Sequence, residues 1–185
     1  MSDIKYPEHK DRELILSERI SQSSVKAFIE RILEINEDDQ KKETVYKDWQ
    51  RTPIKLFINS YGGCVYDGLA LMDVIKQSKT PVHTICLGSC MSMGFWLWLA
   101  GSKRLIGQRA TLMFHDLSTF AVDKTEGIQQ ELTEMLRLQE MMIADITSCS
   151  LVQEETLKDY ILRKAEWYIP AKEALRLQLA DGYYK

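Results

Sequence analysis

Little in this 185-residue chain invites a reading from net charge, metal ligands or disulfides. Its 24 basic side chains are outnumbered by 27 acidic ones, for a net charge of −3. That balance speaks against a mainly electrostatic nucleic-acid binder, which carries a clear basic excess. Four cysteines (Cys64, Cys86, Cys90, Cys149) are too few for a disulfide framework in a chain of this length. They show no Cys-x-x-Cys spacing, and the three histidines (His9, His83, His115) show no His-x-x-x-His spacing, so no metal site is expected. No Gly-x-x-x-x-Gly-Lys loop is present, and the chain is not expected to bind ATP itself. No apolar stretch follows a basic start in Met1–His9, so no secretory signal is expected and a reducing, cytoplasmic setting is the simplest reading. The run from Val82 to Ala100 is nearly uncharged and long enough to suggest a membrane span. Gly88-Ser-Cys-Met-Ser-Met-Gly94 interrupts it, however, and reads as a sharp turn between two shorter elements.

What is present is the composition of a compact globular domain, 45% hydrophobic and 28% charged, and a single domain over residues 1–185 is expected. Residues 1–10 read as a flexible polar arm. Leu14-Ile-Leu16 suits a strand, and Ser21–Ser24 offer caps for a helix with Val25, Phe28, Ile29, Ile32 and Leu33 at helical spacing. The charged stretch of about 36–50 reads as a solvated loop or an extended helix end with no chemistry of its own. Ile54–Ile58 and Pro81–Leu87 read as strands, and Asp67–Gln77 between them as a helix. A buried helix over about Met93–Ala100 is followed by short strands at Arg104–Ile106 and Ala110–Phe114. The spacing predicts a long amphipathic helix over about Thr125–Ser148 and a shorter one near Glu154–Leu162. A strand at Trp167–Ile169 then leads into a last helix from Pro170 that ends before Gly182. Strands alternating with helices argue for α/β architecture built on βαβ crossovers.

Three short stretches carry residues that could do chemistry, and each alone has an ordinary explanation. His115 ends an apolar strand, where a lone histidine is either structural or a catalytic base. Ser92 lies where a strand turns into a helix, between Gly88 and Gly94; that setting suits a nucleophile beside backbone N–H groups, or simply a close helix–strand contact. Gly62-Gly63 permits positive φ, which serves a ligand-facing N–H or a tight turn. His9 reads as a solvated side chain and His83 as structural.

Together, Ser60-Tyr-Gly-Gly63 after a strand, Gly88-Ser-Cys-Met-Ser-Met-Gly94 and Leu112-Met-Phe-His115 resemble the proteolytic subunit of the Clp protease (ClpP). In that family the first turn reads Ser-Pro-Gly-Gly, the nucleophile lies in Ala-Ser-Met-Gly and the base in Met-Ile-His-Gln-Pro. The resemblance runs from roughly Leu14 to Asp181. It implies the ClpP/crotonase-like α/β fold, of repeated βαβ units with a protruding handle helix in the region of about 115–148. It implies Ser92 as nucleophile, His115 as general base, and the backbone N–H groups of Gly63 and Met93 as the oxyanion hole. Glu166 stands where the family's third triad member is usually aspartate, with Asp159 the nearest upstream aspartate.

By the same resemblance the chain is expected to form homo-oligomeric seven-membered rings, stacked in pairs as a tetradecamer. Such rings cleave unfolded polypeptides or short peptides in an inner chamber, with no cofactor, nucleic acid or membrane involved. ATP would enter only through an AAA+ unfoldase partner. Departures from the pattern are Tyr61 for the usual proline, Asp116-Leu117 for Gln-Pro, Ser118–Val122 for a glycine-rich stretch, and a short N-terminal arm. Two alternatives stand beside the protease reading. One is a catalytically weak paralogue acting as a structural or regulatory ring subunit; the other is a crotonase-type acyl-CoA enzyme on the same fold.

Overall fold

The computed structural model describes residues 11–117 and 125–185. The N-terminal arm with His9, and the Ser118–Val122 departure, lie outside the described residues. β1 (Glu13–Leu16) leads through Ser21 into α1 (Gln22–Val45). Ser21 and Ser24 close a reciprocal cap, each hydroxyl accepting the other residue's backbone N–H, which satisfies donors that the first helical turn leaves over. The charged stretch beginning at Asn36 is thus helix as far as Val45, and part of it is not solvated. Asp39 continues the face of Ile32 and Ile35 and is fully buried. Its carboxylate accepts from Arg12 Nη1 at 2.9 Å, Thr80 Oγ1 at 2.6 Å and Trp49 Nε1 at 3.3 Å. Burial pushes the Asp39 pKa up, but the bonds from Arg12, Thr80 and Trp49 outweigh that and hold it below the ordinary carboxylate value. A neighbouring fork joins Arg51 to Glu43 at 2.6 and 2.7 Å.

The remaining elements are β2 (Ile54–Ser60), α2 (Val65–Gln77), β3 (Val82–Met91), α3 (Met93–Trp98), β4 (Lys103–Ile106) and β5 (Thr111–Phe114). After them come α4 (Thr125–Ser148), α5 (Glu154–Leu162), β6 (Trp167–Pro170), α6 (Ala171–Arg176) and β7 (Gly182–Tyr183). The strands form one sheet with the order β1-β2-β3-β4-β7, all parallel along that path. β3 is longer than its sequence pattern predicts, because it runs through Gly88 instead of ending there. Its first half pairs with β4 and its second half, Ser89–Met91, pairs with β5. The change of partner coincides with a register shift against β2 and with φ of +77° at Gly88, where a Cβ would meet Asn59 Oδ1 at 2.7 Å. β6 then adds antiparallel to β5.

α3 is buried along its whole length. Its indoles can be buried because their N–H groups find acceptors: Trp96 donates to Asp145 on α4 at 2.7 Å, and Trp98 to the Leu105 carbonyl at 3.0 Å. The apolar run from Val82 is therefore strand, corner and short helix, and no helix among the described residues is long and apolar enough to cross a membrane. The last helix is shorter than its pattern predicts. It stops at Arg176 because Gln178 adopts φ of +56°.

Candidate active site

The corner between β3 and α3 is one residue, Ser92, with φ of +54° and ψ of −125°. For a residue with a Cβ that conformation costs on the order of 1–3 kcal/mol, so the surroundings must impose it. They do so from both sides. The Ser92 N–H donates to the Met113 carbonyl at 2.9 Å, which extends the β3–β5 ladder to the corner itself. Gly62, at φ of +101°, presses against it so closely that a Cβ there would lie 2.9 Å from the Ser92 Cβ and 2.8 Å from the Met91 carbonyl oxygen. The ladder that grips Ser92 also delivers His115, two residues beyond Met113. Its Nε2 and the Ser92 Oγ are 2.7 Å apart, within hydrogen-bond distance.

Gly63 is aligned by a parallel bridge to Ile20. That bridge uses the Gly62 carbonyl, which accepts from Ile20 N–H, and the Cys64 N–H, which donates to Ile20 carbonyl, both at 2.9 Å. In a parallel pairing the intervening residue turns its own N–H to the other side, and Gly63 lines the cleft that holds Ser92 and His115. Met93, the first residue of α3, supplies a second N–H with no carbonyl a turn earlier to receive it. Its side chain is clamped where Gly68 of α2 comes so close that a Cβ would lie 2.5 Å from it. The cleft has a volume of about 600 Å³.

Glu166 precedes β6, whose register pairs Phe114 with Trp167, so continuation of the ladder sets Glu166 opposite His115. Its carboxylate nevertheless bonds the Tyr168 hydroxyl, and the structure does not bring it onto His115. A glutamate is one methylene longer than aspartate, and a residue two places along a strand lies on the same face, so Tyr168 captures the longer chain. Asp159 is in α5, ion-paired to Arg163 at 2.6 Å. His83 is on β3 opposite Lys55 and Lys103; burial first, then those two cations, holds its pKa down.

The family profile of the Clp protease matches residues 2–184. This chain belongs to the Clp protease family. Among its relatives is an ATP-dependent Clp protease proteolytic subunit 2 of Prochlorococcus marinus, 33% identical over 164 residues, which span 84% of this chain and 76% of the relative. A proteolytic subunit 1 of the same species is 28% identical over 177 residues, 93% of this chain and 83% of the relative. The Clp protease proteolytic subunit of Deinococcus radiodurans is 29% identical over 176 residues, 93% and 79% of the two chains. The chain is accordingly a serine-peptidase-family hydrolase with the α/β fold of the Clp proteolytic subunits.

A second cavity, about 190 Å³, adjoins the Clp-type corner. It is lined by Val65 and Leu117, each two residues beyond a cleft residue, and by Met135 and Leu138 of α4. Tyr66 and Glu134 border it, the Tyr66 hydroxyl donating to Glu134 at 2.7 Å while Arg137 grips the same carboxylate at 2.6 and 2.7 Å. The Arg137 bonds first, and the Tyr66 bond second, lower the Glu134 pKa to about 2. Sequence reasoning missed this contact because its partners are 68 positions apart. The Glu166–Tyr168 bond was missed as well, because spacing does not say which rotamer the glutamate adopts.

Proposed function

We propose that this Clp protease family member is a serine endopeptidase that cleaves peptide bonds through an acyl-enzyme on Ser92. The observation that carries the reading is the 2.7 Å Ser92–His115 contact at a strained strand-to-helix corner. Ser92 Oγ attacks the peptide carbonyl carbon while its proton passes to His115 Nε2. The carbonyl oxygen becomes an oxyanion and accepts hydrogen bonds from the backbone N–H groups of Gly63 and Met93. Collapse breaks the C–N bond, and His115 Nε2 returns the proton to the departing amine. Water then repeats the sequence on the ester: His115 takes one proton from it, the hydroxyl adds to the carbonyl carbon, and Ser92 leaves with that proton restored.

Glu166 is the acid that holds the imidazole in this scheme. Rotation of its side chain away from Tyr168 directs it to Nδ1 of His115, which fixes the tautomer and stabilises the imidazolium. The apolar cavity bounded by Val65, Leu117, Met135 and Leu138 takes a substrate side chain beside the scissile bond. Four of its seven lining residues are aliphatic or Met, the others being Tyr66, Glu131 and Glu134, and its size suits one side chain.

The assembly belongs to the same proposal. Homo-oligomeric seven-membered rings stacked in pairs would enclose the corners in a chamber and restrict cleavage to unfolded chains and short peptides. The exposed Ile128, Leu132 and Leu136 stripe of α4 supports contact between copies. The chemistry uses no cofactor in this chain. An AAA+ unfoldase, as the ATP-dependent names of the relatives suggest, would bring ATP, in the cytoplasm.

Intact-mass labelling with a fluorophosphonate tests the core of the reading. A single adduct on the assembled wild type, and none on Ser92→Ala, is expected. A folded wild type that takes up no adduct overturns the reading.

A further inference from the structure

The cleft around Ser92 is walled mostly by small polar groups and backbone, including Ser17, Asn59 and Ser60. Three larger side chains also line it: Glu18, Arg19 and Tyr61. Arg19 differs from the other arginines. Those at 12, 31, 51, 104, 137, 163 and 176 are each held by a carboxylate. Among the described residues Arg19 makes no ion pair or hydrogen bond, and Arg109, the other such arginine, does not line the cleft. Tyr61 is 81% exposed and stacks on no other ring among the described residues.

The base of Arg19 is nevertheless fixed. Ser60 Oγ donates to the Glu18 carbonyl at 2.6 Å, and Ile20 is bridged to Gly63. The backbone on either side of Arg19 is therefore pinned to the turn that presents the Gly63 N–H. A guanidinium is a planar fork of donors matched to a carboxylate, and Arg19, unpaired among the described residues, presents that fork in the cleft. An exposed arginine and an exposed aromatic lining one cleft are also side chains of the kind that dominate recognition sites.

From these observations we infer that Arg19, with Tyr61 lining the same cleft, is a specificity-determining residue that selects peptides carrying an acidic side chain near the scissile bond. The inference rests on the protease reading above. The guanidinium forks the substrate carboxylate, and the Tyr61 ring covers the aliphatic stem beside it. Glu18 lies in the same cleft and partly offsets the cation, so the preference is moderate in the wild type.

The test uses the assembled full chain and a mixture of short peptides varied within three residues on either side of the cleaved bond. These enter without an unfoldase, and mass spectrometry reads the cleavage sites. At one position the ratio of kcat/KM for Asp or Glu over Lys is expected to be about fivefold, the scale of one solvent-accessible ion pair. Arg19→Glu should invert that ratio, Arg19→Gln abolish it and Glu18→Gln raise it. Fluorophosphonate labelling of each variant reports separately whether Ser92 is competent. Equal ratios in wild type and in a labelled Arg19→Gln variant overturn the inference and leave the protease reading standing. A wild type that does not label overturns both. Should Arg19→Glu fail to fold, the Arg19→Gln comparison decides alone.

Discussion

Two polar centres lie at opposite ends of the strands that β2 joins, and they treat hydrogen bonding in opposite ways. Around Asp39 both carboxylate oxygens meet donors, from Arg12, Thr80 and Trp49, and Arg12 also donates to the Thr52 carbonyl at 2.7 Å. Around Ser92 the reverse holds: the N–H groups of Gly63 and Met93 have no partner among the described residues, beside a cleft that Gly63 and Ser92 line, and the serine sits in a backbone conformation it would not choose. Buried charge is tolerated where it is saturated; reactivity needs capacity left open and strain held in place. The first centre ties the chain together, and on the proposed reading the second holds the pieces of a reaction ready.

The sharpest way to separate the two is to relax the corner. Ser92→Gly removes both the nucleophile and the disfavoured φ. Peptide hydrolysis should fall by on the order of 10³-fold or more, while the thermal midpoint rises relative to Ser92→Ala. A midpoint equal to that of Ser92→Ala would show that the corner stores no strain. Breaking the saturated centre should do the opposite. Arg12→Ala strands a buried carboxylate and should cost about 3–5 kcal/mol in urea unfolding. The folded fraction should still label at Ser92; loss of labelling in step with stability would mean the centres are coupled.

Acid probes the same knot more gently. The folded Asp39 pKa lies below its ordinary value of 3.8. Its stabilising contribution is then complete above the unfolded-state value and drains away as pH falls through the folded one. The unfolding midpoint of wild type should drop more steeply below about pH 4 than that of Asp39→Asn, which has no carboxylate to titrate there. Parallel curves would refute the assignment. The smallest effect concerns Tyr168→Phe. Releasing the Glu166 carboxylate to reach His115 should raise kcat by about threefold, the worth of one net hydrogen bond of ~0.5–1.5 kcal/mol. A fall in kcat would show instead that the tyrosine supports the glutamate in its working position.

Where local pattern governs, the sequence was sufficient. The helices Thr125–Ser148 and Glu154–Leu162 follow from apolar spacing, the Ser21 cap from its residue type, and the Ser92 corner from two flanking glycines and a change of period. What escaped depends on partners far along the chain. Asp39 reads as one more charge in a charged run until Arg12, 27 positions away, is brought to it. β3 reads as ending at Gly88, because only the arrival of β5 gives Ser89–Met91 something to pair with. Glu166 aligns with a triad acid by the family pattern, yet which hydroxyl or imidazole its longer side chain meets is a choice of rotamer, on which residue spacing is silent.

The bond from the Ser92 amide to Met113 joins the proposed nucleophile to the strand that leads to its proposed base. Ser92 therefore cannot drift out of register with His115 unless β3 and β5 part, and that separation belongs to the sheet and not to a loop. Exchange of the Ser92 amide proton with solvent should then be as slow as that of the sheet's interior. On the proposed reading, partial inactivation without partial unfolding has no easy route, and a reagent that counts reactive serines in a preparation would also count its intact molecules.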